Sequence, residues 1–223
     1  MDIKHYYIEK GEGTTLILLH GNGGSSEEYR SQIDEWAPYF HVYALDTRGH
    51  GKTPRGTKPF TIRQFAEDLY GFMERQHIEK ADIIGFSDGG NIALAFALKY
   101  PKKVRHLVLN GANLDPKGVK AYFQLPITAG YRLTKLSHSP AAKGKREMLG
   151  LMVNDPYFSD AALTRLKPDT MVVAGTNDLI YRKHTERIAR NIPRCVLLFV
   201  KGHHSASNTS PKKNKLILDF LQH

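Results

Sequence analysis

Gly85-Phe86-Ser87-Asp88-Gly89 stands between a short apolar run, 81–85, and an amphipathic stretch that begins at Asn91. A serine held between glycines where a strand turns sharply into a helix lifts its hydroxyl clear of the scaffold, as a nucleophile requires. Five residues can match such a pattern by accident. The weight comes from the context, a strand before the turn and a helix after it.

Strand and helix signals alternate outward from this turn. Apolar runs at 16–20, 41–46, 81–86, 104–110, 171–175 and 195–200 read as strands. Helices are expected over 25–36, capped by Ser25 or Ser26, over 61–77, capped by Thr61, and over 91–100, ended by Pro101. Two more are expected at 181–191 and 211–222. In the helix over 61–77, Ile62, Phe65, Ala66, Leu69, Phe72 and Met73 recur on one face. Fully apolar strands alternating with helices specify a mostly parallel sheet covered on both faces, an α/β fold.

Residues 113–168 interrupt the alternation. Their pieces at 118–123, 126–136, 141–153 and 159–166 read as short helices, rich in large apolar side chains such as Tyr122, Phe123, Tyr131, Met148 and Met152. An inserted helical cap over the strand ends would bury that surface and close a pocket. The expected organisation is a core of 1–112 and 169–223 with a cap of 113–168. The same stretch concentrates charge: Lys117, Lys120, Arg132, Lys135, Lys143, Lys145 and Arg146 face the single acid Glu147, in a chain of net charge +10. Two readings stay open, a solvated helix surface and a basic rim that attracts an anionic substrate. No nucleic-acid-binding motif accompanies the charge.

A chain of 223 residues is long enough to bury a sizeable core. No apolar run approaches the roughly 18 residues that cross a bilayer, and the polar first residues lead to the expectation of a cytoplasmic protein. The single Cys195 lies in an apolar run and reads as packing rather than as a reactive thiol.

The chain resembles the α/β-hydrolases along nearly its whole length. His20-Gly21-Asn22-Gly23, Asp46-Thr47-Arg48-Gly49-His50-Gly51, Gly85 to Gly89, Gly175-Thr176-Asn177-Asp178 and His203-His204 carry the likeness, each after a strand. The order Ser, Asp, His is the one that family uses. The resemblance implies Ser87 as nucleophile, Asp178 as the acid that orients the base, and backbone N–H groups of Asn22 and Asp88 as an oxyanion hole. Asp115 is the reserve acid. The base is His204 or His203: a proline seven residues on, Pro211, favours His204, and the preceding glycine favours His203. His204 is the assignment adopted. The Asp88 side chain would repel an oxyanion and is expected to point away from the site. Gly89 and Gly90 are expected to let the helix approach the sheet closely.

Two other patterns compete for the glycine-rich loops. Residues 21–26, with Asp46 beyond, imitate a dinucleotide fingerprint, but Ser26 stands where the third glycine belongs. Gly51-Lys52-Thr53 imitates the end of a phosphate-binding loop, but Asp46 replaces its leading glycine. No cofactor or metal is therefore expected, since the histidine pair brings no further ligands at suitable spacing. The reading is a serine hydrolase acting on a carboxylic ester through an acyl-enzyme. The alternatives are hydrolysis of a carbon-carbon bond in a diketone-like acid, thioester hydrolysis, peracid formation, and a ligand receptor on the same fold.

Overall fold

The computed structural model describes residues 2–205 and 211–223. The described residues form one seven-stranded sheet: β1 (Tyr7–Lys10), β2 (Thr15–Leu19), β3 (His41–Leu45), β4 (Ala81–Phe86), β5 (Val104–Asn110), β6 (Asp169–Gly175) and β7 (Cys195–Val200). Their spatial order is β1-β3-β2-β4-β5-β6-β7. β1 pairs antiparallel with β3, and the other pairings are parallel. The sequence did not reveal β1, because four half-exposed residues at an edge carry little periodicity.

Alternate side chains of the strands feed two cores. Leu16 and Leu18 pack with Tyr29, Ile33 and Trp36, from the 3-10 turn Ser26–Tyr29 and helix α1 (Arg30–Trp36), and with Ile217 and Leu221 of the last helix. Ile17 and Leu19 face the other way, against α2 (Ile62–Arg75) and α3 (Asp88–Lys99). Each large apolar side chain buried this way contributes roughly 1.5–3 kcal/mol. α2 begins as expected: Thr61 Oγ1 accepts the Gln64 N–H at 3.2 Å, and Phe65, Leu69 and Phe72 are buried. β7 departs from the expectation of strands covered on both faces. It is the sheet's edge, and Val196 is 50% exposed.

The segment between β5 and β6 holds α4 (Ala121–Thr134), α5 (Pro140–Asn154) and α6 (Asp160–Leu163). The two pieces expected at 118–123 and 126–136 are one helix, with Pro126 inside it. Proline there forfeits one backbone hydrogen bond, to the Tyr122 carbonyl, which lies on an exposed turn open to water. The expected burial of this segment's apolar side chains is met only in part: Leu151 is buried, whereas Leu136 is 81% exposed. α7 (Arg182–Asn191) and α8 (Pro211–Leu221) complete the chain. Among the described residues no helix is long and apolar enough to cross a membrane.

The loop after β3 is a structural hub. Asp46 accepts the backbone N–H groups of Ser26 and Lys52, each at 2.7 Å, so its carboxylate serves the loop and is not offered to a ribose. Arg48 is fully buried and forks onto Asp68 at 2.7 Å and onto Asp2 at 2.8 and 2.9 Å.

After β2 the chain moves out to β3, then returns to place β4 on β2's other side, so the direction of winding reverses between β2 and β4. Ligand sites in open α/β sheets form outside the carboxyl ends of strands at such a point. The registers Leu19↔Gly85 and Phe86↔Asn110 bring the ends of β2, β4 and β5 to within a residue of one another, and Asn110↔Val173 with Gly175↔Val200 sets the ends of β6 and β7 two residues further along the same side. The loops carrying Asn22, Ser87, Asn113, Asp178 and His204 therefore share one rim of the sheet.

Candidate active site

Ser87 occupies the turn between β4 and α3 with φ 54° and ψ −120°, a left-handed backbone that costs free energy outside glycine. Surrounding contacts hold it there. The Ser87 N–H donates to Asn110 O at 2.8 Å, and the Asn91 N–H closes the helix's first turn on Ser87 O at 3.1 Å. α3 starts directly after the serine, three residues earlier than its apolar pattern suggests. Its first turn presses on the sheet: a Cβ added at Gly89 would lie 2.1 Å from Leu19 O, so no larger residue fits.

Asp178 follows β6 and His204 follows β7. The His204 Nδ1–H donates to Asp178 Oδ1 at 2.6 Å, with the two side chains 14% and 3% exposed. Asp178 also accepts the Gly175 N–H at 3.0 Å and the Ile180 N–H at 3.0 Å. Burial by itself pushes the Asp178 carboxyl up; His204 and the two amides outweigh it and hold the carboxyl below the usual carboxylate range. The imidazole leans on the Phe86 ring at 4.9 Å between centroids. Gly111, at φ 66°, makes room for it, since a Cβ there would stand 2.6 Å from His204 Cε1. No motif in the chain marks that glycine's part.

The adjacent His203 is exposed, outside this hydrogen bond. Asp115 lies elsewhere: its Oδ1 accepts the Lys117 N–H at 2.8 Å. His20, the first residue of the first glycine-rich motif, is buried; its Nδ1 bonds Gly21 O at 2.7 Å and its Nε2 accepts the Thr47 N–H at 3.0 Å. Burial lowers its pKa to about 4, so it is a neutral strut between two loops.

Ser87 and His204 line one cavity of about 220 Å³, together with Asn22, Asp88, Asn113, Phe123, Met152 and Asp155 among others. Among the described residues, the backbone N–H groups of Asn22 and Asp88 donate to no protein acceptor. The Asn22 side chain donates to Met148 O at 2.8 Å, tying the rim loop to α5. Cys195 is distant in the edge strand, and burial pushes its thiol up to about 11, the mark of an unreactive sulfur.

The Asp88 side chain does not leave the site as expected: its carboxyl is buried close to Asn22, Asp155 and His204, which line the cavity. Asn91 explains the orientation. Its Nδ2 donates to Asp88 Oδ1 at 3.3 Å and to Asn113 Oδ1 at 3.0 Å, while its Oδ1 accepts the Asn113 N–H at 3.0 Å. Burial raises the Asp88 carboxyl to about 6, against the opposing pull of the Asn22 and Asn91 amides. Asp155, which the sequence did not single out, lies at the end of α5 and is likewise raised by burial. None of the seven basic residues of 116–150 lines this cavity.

Comparison with known proteins places this geometry in a family. Residues 14–131 match the model of the alpha/beta hydrolase fold. A 2-hydroxymuconate semialdehyde hydrolase of Pseudomonas putida is 30% identical over 75% of this chain and 57% of its own length. A 2-hydroxy-6-oxononadienedioate/2-hydroxy-6-oxononatrienedioate hydrolase of Paraburkholderia phymatum is 30% identical over 86% of this chain and 65% of its own. The chain thus spans less than two thirds of the length of these relatives. A solved structure of a meta-cleavage product hydrolase from Pseudomonas fluorescens IP01 superposes with a TM-score of 0.81 at 24% identity, over 99% of this chain and 94% of that one. With the model match covering more than half of its residues and the sheet wound in the same way, the chain belongs to the α/β-hydrolase family.

Proposed function

We propose that the protein is a serine hydrolase that cleaves a carboxylic ester through an acyl-enzyme. Ser87 Oγ attacks the ester carbonyl carbon as His204 Nε2 takes its proton, and the carbonyl π electrons move onto oxygen. The Asn22 and Asp88 N–H groups stabilise that oxyanion. When the tetrahedral adduct collapses, the alkoxide leaves and takes the proton from His204. Water, deprotonated by the same imidazole, then attacks the acyl-enzyme; as the second adduct collapses the bond to Ser87 Oγ breaks, Oγ takes the proton back from His204, and the acid is released. Asp178 keeps Nδ1 protonated, and so keeps Nε2 free to act as the base. Residues 113–168 serve as a cap that supplies Phe123, Met152 and Asp155 to the substrate cavity.

The observation that carries this reading is the 2.6 Å His204–Asp178 hydrogen bond on the rim of a cavity shared with a left-handed Ser87. The relatives' names favour a second reading, hydrolysis of a carbon-carbon bond in an oxo-acid. Against it stands the cavity wall: its described residues include no lysine or arginine to receive a substrate carboxylate, and two acids already stand in it. The test is labelling with a fluorophosphonate together with p-nitrophenyl esters of graded acyl length. Labelling confined to Ser87, with short esters turned over and both lost in Ser87→Ala, is the expected result. An unlabelled Ser87 with no ester hydrolysed defeats the proposal.

A further inference from the structure

Asp88 is a poor residue to bury beside a nucleophile unless something charged comes to meet it. The residue is 6% exposed, and its Oδ2 has no hydrogen-bond partner among the described residues. Leaving a carboxylate oxygen buried and unsatisfied costs more than leaving a neutral group so. The Asn22 amide is near enough to favour the ionised form, yet its hydrogen bond goes to Met148 O. Asn91 reaches only Oδ1, at the long distance of 3.3 Å.

A second carboxyl makes the wall more acidic. Asp155 lines the same cavity, near enough for its charge to push Asp88 further up. The Ile62 amide and Arg63 favour the ionised form of Asp155, whereas the cation that does so for Asp88 is His204. That imidazole is already bonded to Asp178. Two acids thus stand in the cavity wall, and the unfilled Asp88 Oδ2 is buried in that wall, one residue along the chain from the serine.

We infer that this site selects acyl groups bearing a primary ammonium close to the scissile carbonyl, with Asp88 Oδ2 as its acceptor and Asp155 as a second negative charge. The inference rests on the ester-cleaving reading for its chemistry, but the recognition itself is a binding property. An ammonium carries three donors and a full positive charge, so it satisfies Oδ2 and relieves the repulsion between the two carboxyls. Attachment at the carbon next to the carbonyl suits the spacing, because Asp88 follows Ser87 directly on the first turn of α3. An aminoacyl ester has that arrangement.

An isosteric pair isolates the charge: alanine methyl ester and methyl isobutyrate, which exchange an ammonium for a methyl group. At about pH 7, each rate is normalised to that ester's own hydroxide-catalysed hydrolysis. The expected kcat/KM is about 10- to 100-fold higher for the alanine ester, the worth of a charge-assisted hydrogen bond. Asp88→Asn should reduce that ratio by about tenfold or more, and Asp155→Asn by less. Binding is read independently in Ser87→Ala by calorimetry, with alaninamide expected to bind and isobutyramide not, a difference that Asp88→Asn should remove.

Hydrolysis of the neutral ester as well as or better than the alanine ester overturns the inference, as does equal binding of the two amides. In that case labelling of Ser87 and turnover of methyl isobutyrate leave the esterase reading standing. Selective binding of alaninamide without ester turnover or Ser87 labelling has the opposite meaning: the ammonium site is upheld and the esterase reading fails. Should Asp88→Asn lose its folded circular dichroism spectrum, the wild-type ester ratio and the Ser87→Ala binding difference decide the matter alone.

Discussion

Two adjacent histidines differ in what they touch. His204 meets a buried carboxylate that three donors hold ionised, whereas His203 faces solvent. His204→Ala is expected to lower kcat about a thousandfold or more, and His203→Ala only a few-fold, measured with a p-nitrophenyl ester. The reverse order would transfer the role of base to His203. Asp88 gives a prediction about stability. Burial lifts its folded pKa to about 6, above the ordinary carboxyl value of 3.8, so between those values the folded state binds more protons than the unfolded. Stability from this group is greatest at low pH and falls as pH rises through that window. Asp88→Asn should thus raise the unfolding free energy above pH 6 by roughly 1–3 kcal/mol, with the gain shrinking toward pH 4. Urea titrations at several pH values measure it, and a constant difference across the range would contradict the burial argument.

The element that matters most is α3, whose first turn is pressed against β2. Polar and small residues before Asn91 hide its start from an apolar periodicity, so the helix reads three residues too short from sequence. Gly89 permits the close approach. Gly89→Ala would set a Cβ 2.1 Å from Leu19 O and 2.6 Å from His20 O, both backbone atoms that cannot rotate away. The expected cost is about 2–3 kcal/mol of stability, with loss of the Ser87 geometry, seen as a lower melting temperature and slower fluorophosphonate labelling. Wild-type melting and labelling would mean that the helix can move out from the sheet. α4 shows the opposite failure of local reading. Pro126 signals a break, but the exposed Tyr122 carbonyl gives up its partner to water and the helix continues.

Across the whole molecule, the fold brings together residues that no local pattern links. Arg48 joins Asp2 near the amino-terminal end to Asp68 in α2, with its own side chain fully buried. Arg48→Met keeps much of the volume but leaves the Asp68 carboxylate buried without its cation. The expected loss is about 3–5 kcal/mol, measured by urea unfolding. A loss below about 1 kcal/mol would show that the pair only breaks even with apolar packing. The basic charge of 116–150 has an equally global answer. Lys143 and Lys145 are exposed and Arg146 donates to the Thr134 and Ser137 carbonyls, while the cavity beside Ser87 is lined by acids instead. A high net charge on a chain does not report the charge of its pocket.

The α/β architecture and the loops at its strand ends were legible in the sequence because their signals are local. Apolar runs, helical spacing and a serine set among glycines act within a few residues of themselves, and they located Ser87, Asp178 and the two histidines. Only the tertiary structure decided which histidine reaches Asp178, that the Asp88 carboxyl is buried close to Asp155, and that Gly111 leaves room for the imidazole. Those outcomes depend on side-chain directions set by packing between strands far apart in the chain, and the direction a side chain takes is not carried by its place in a motif.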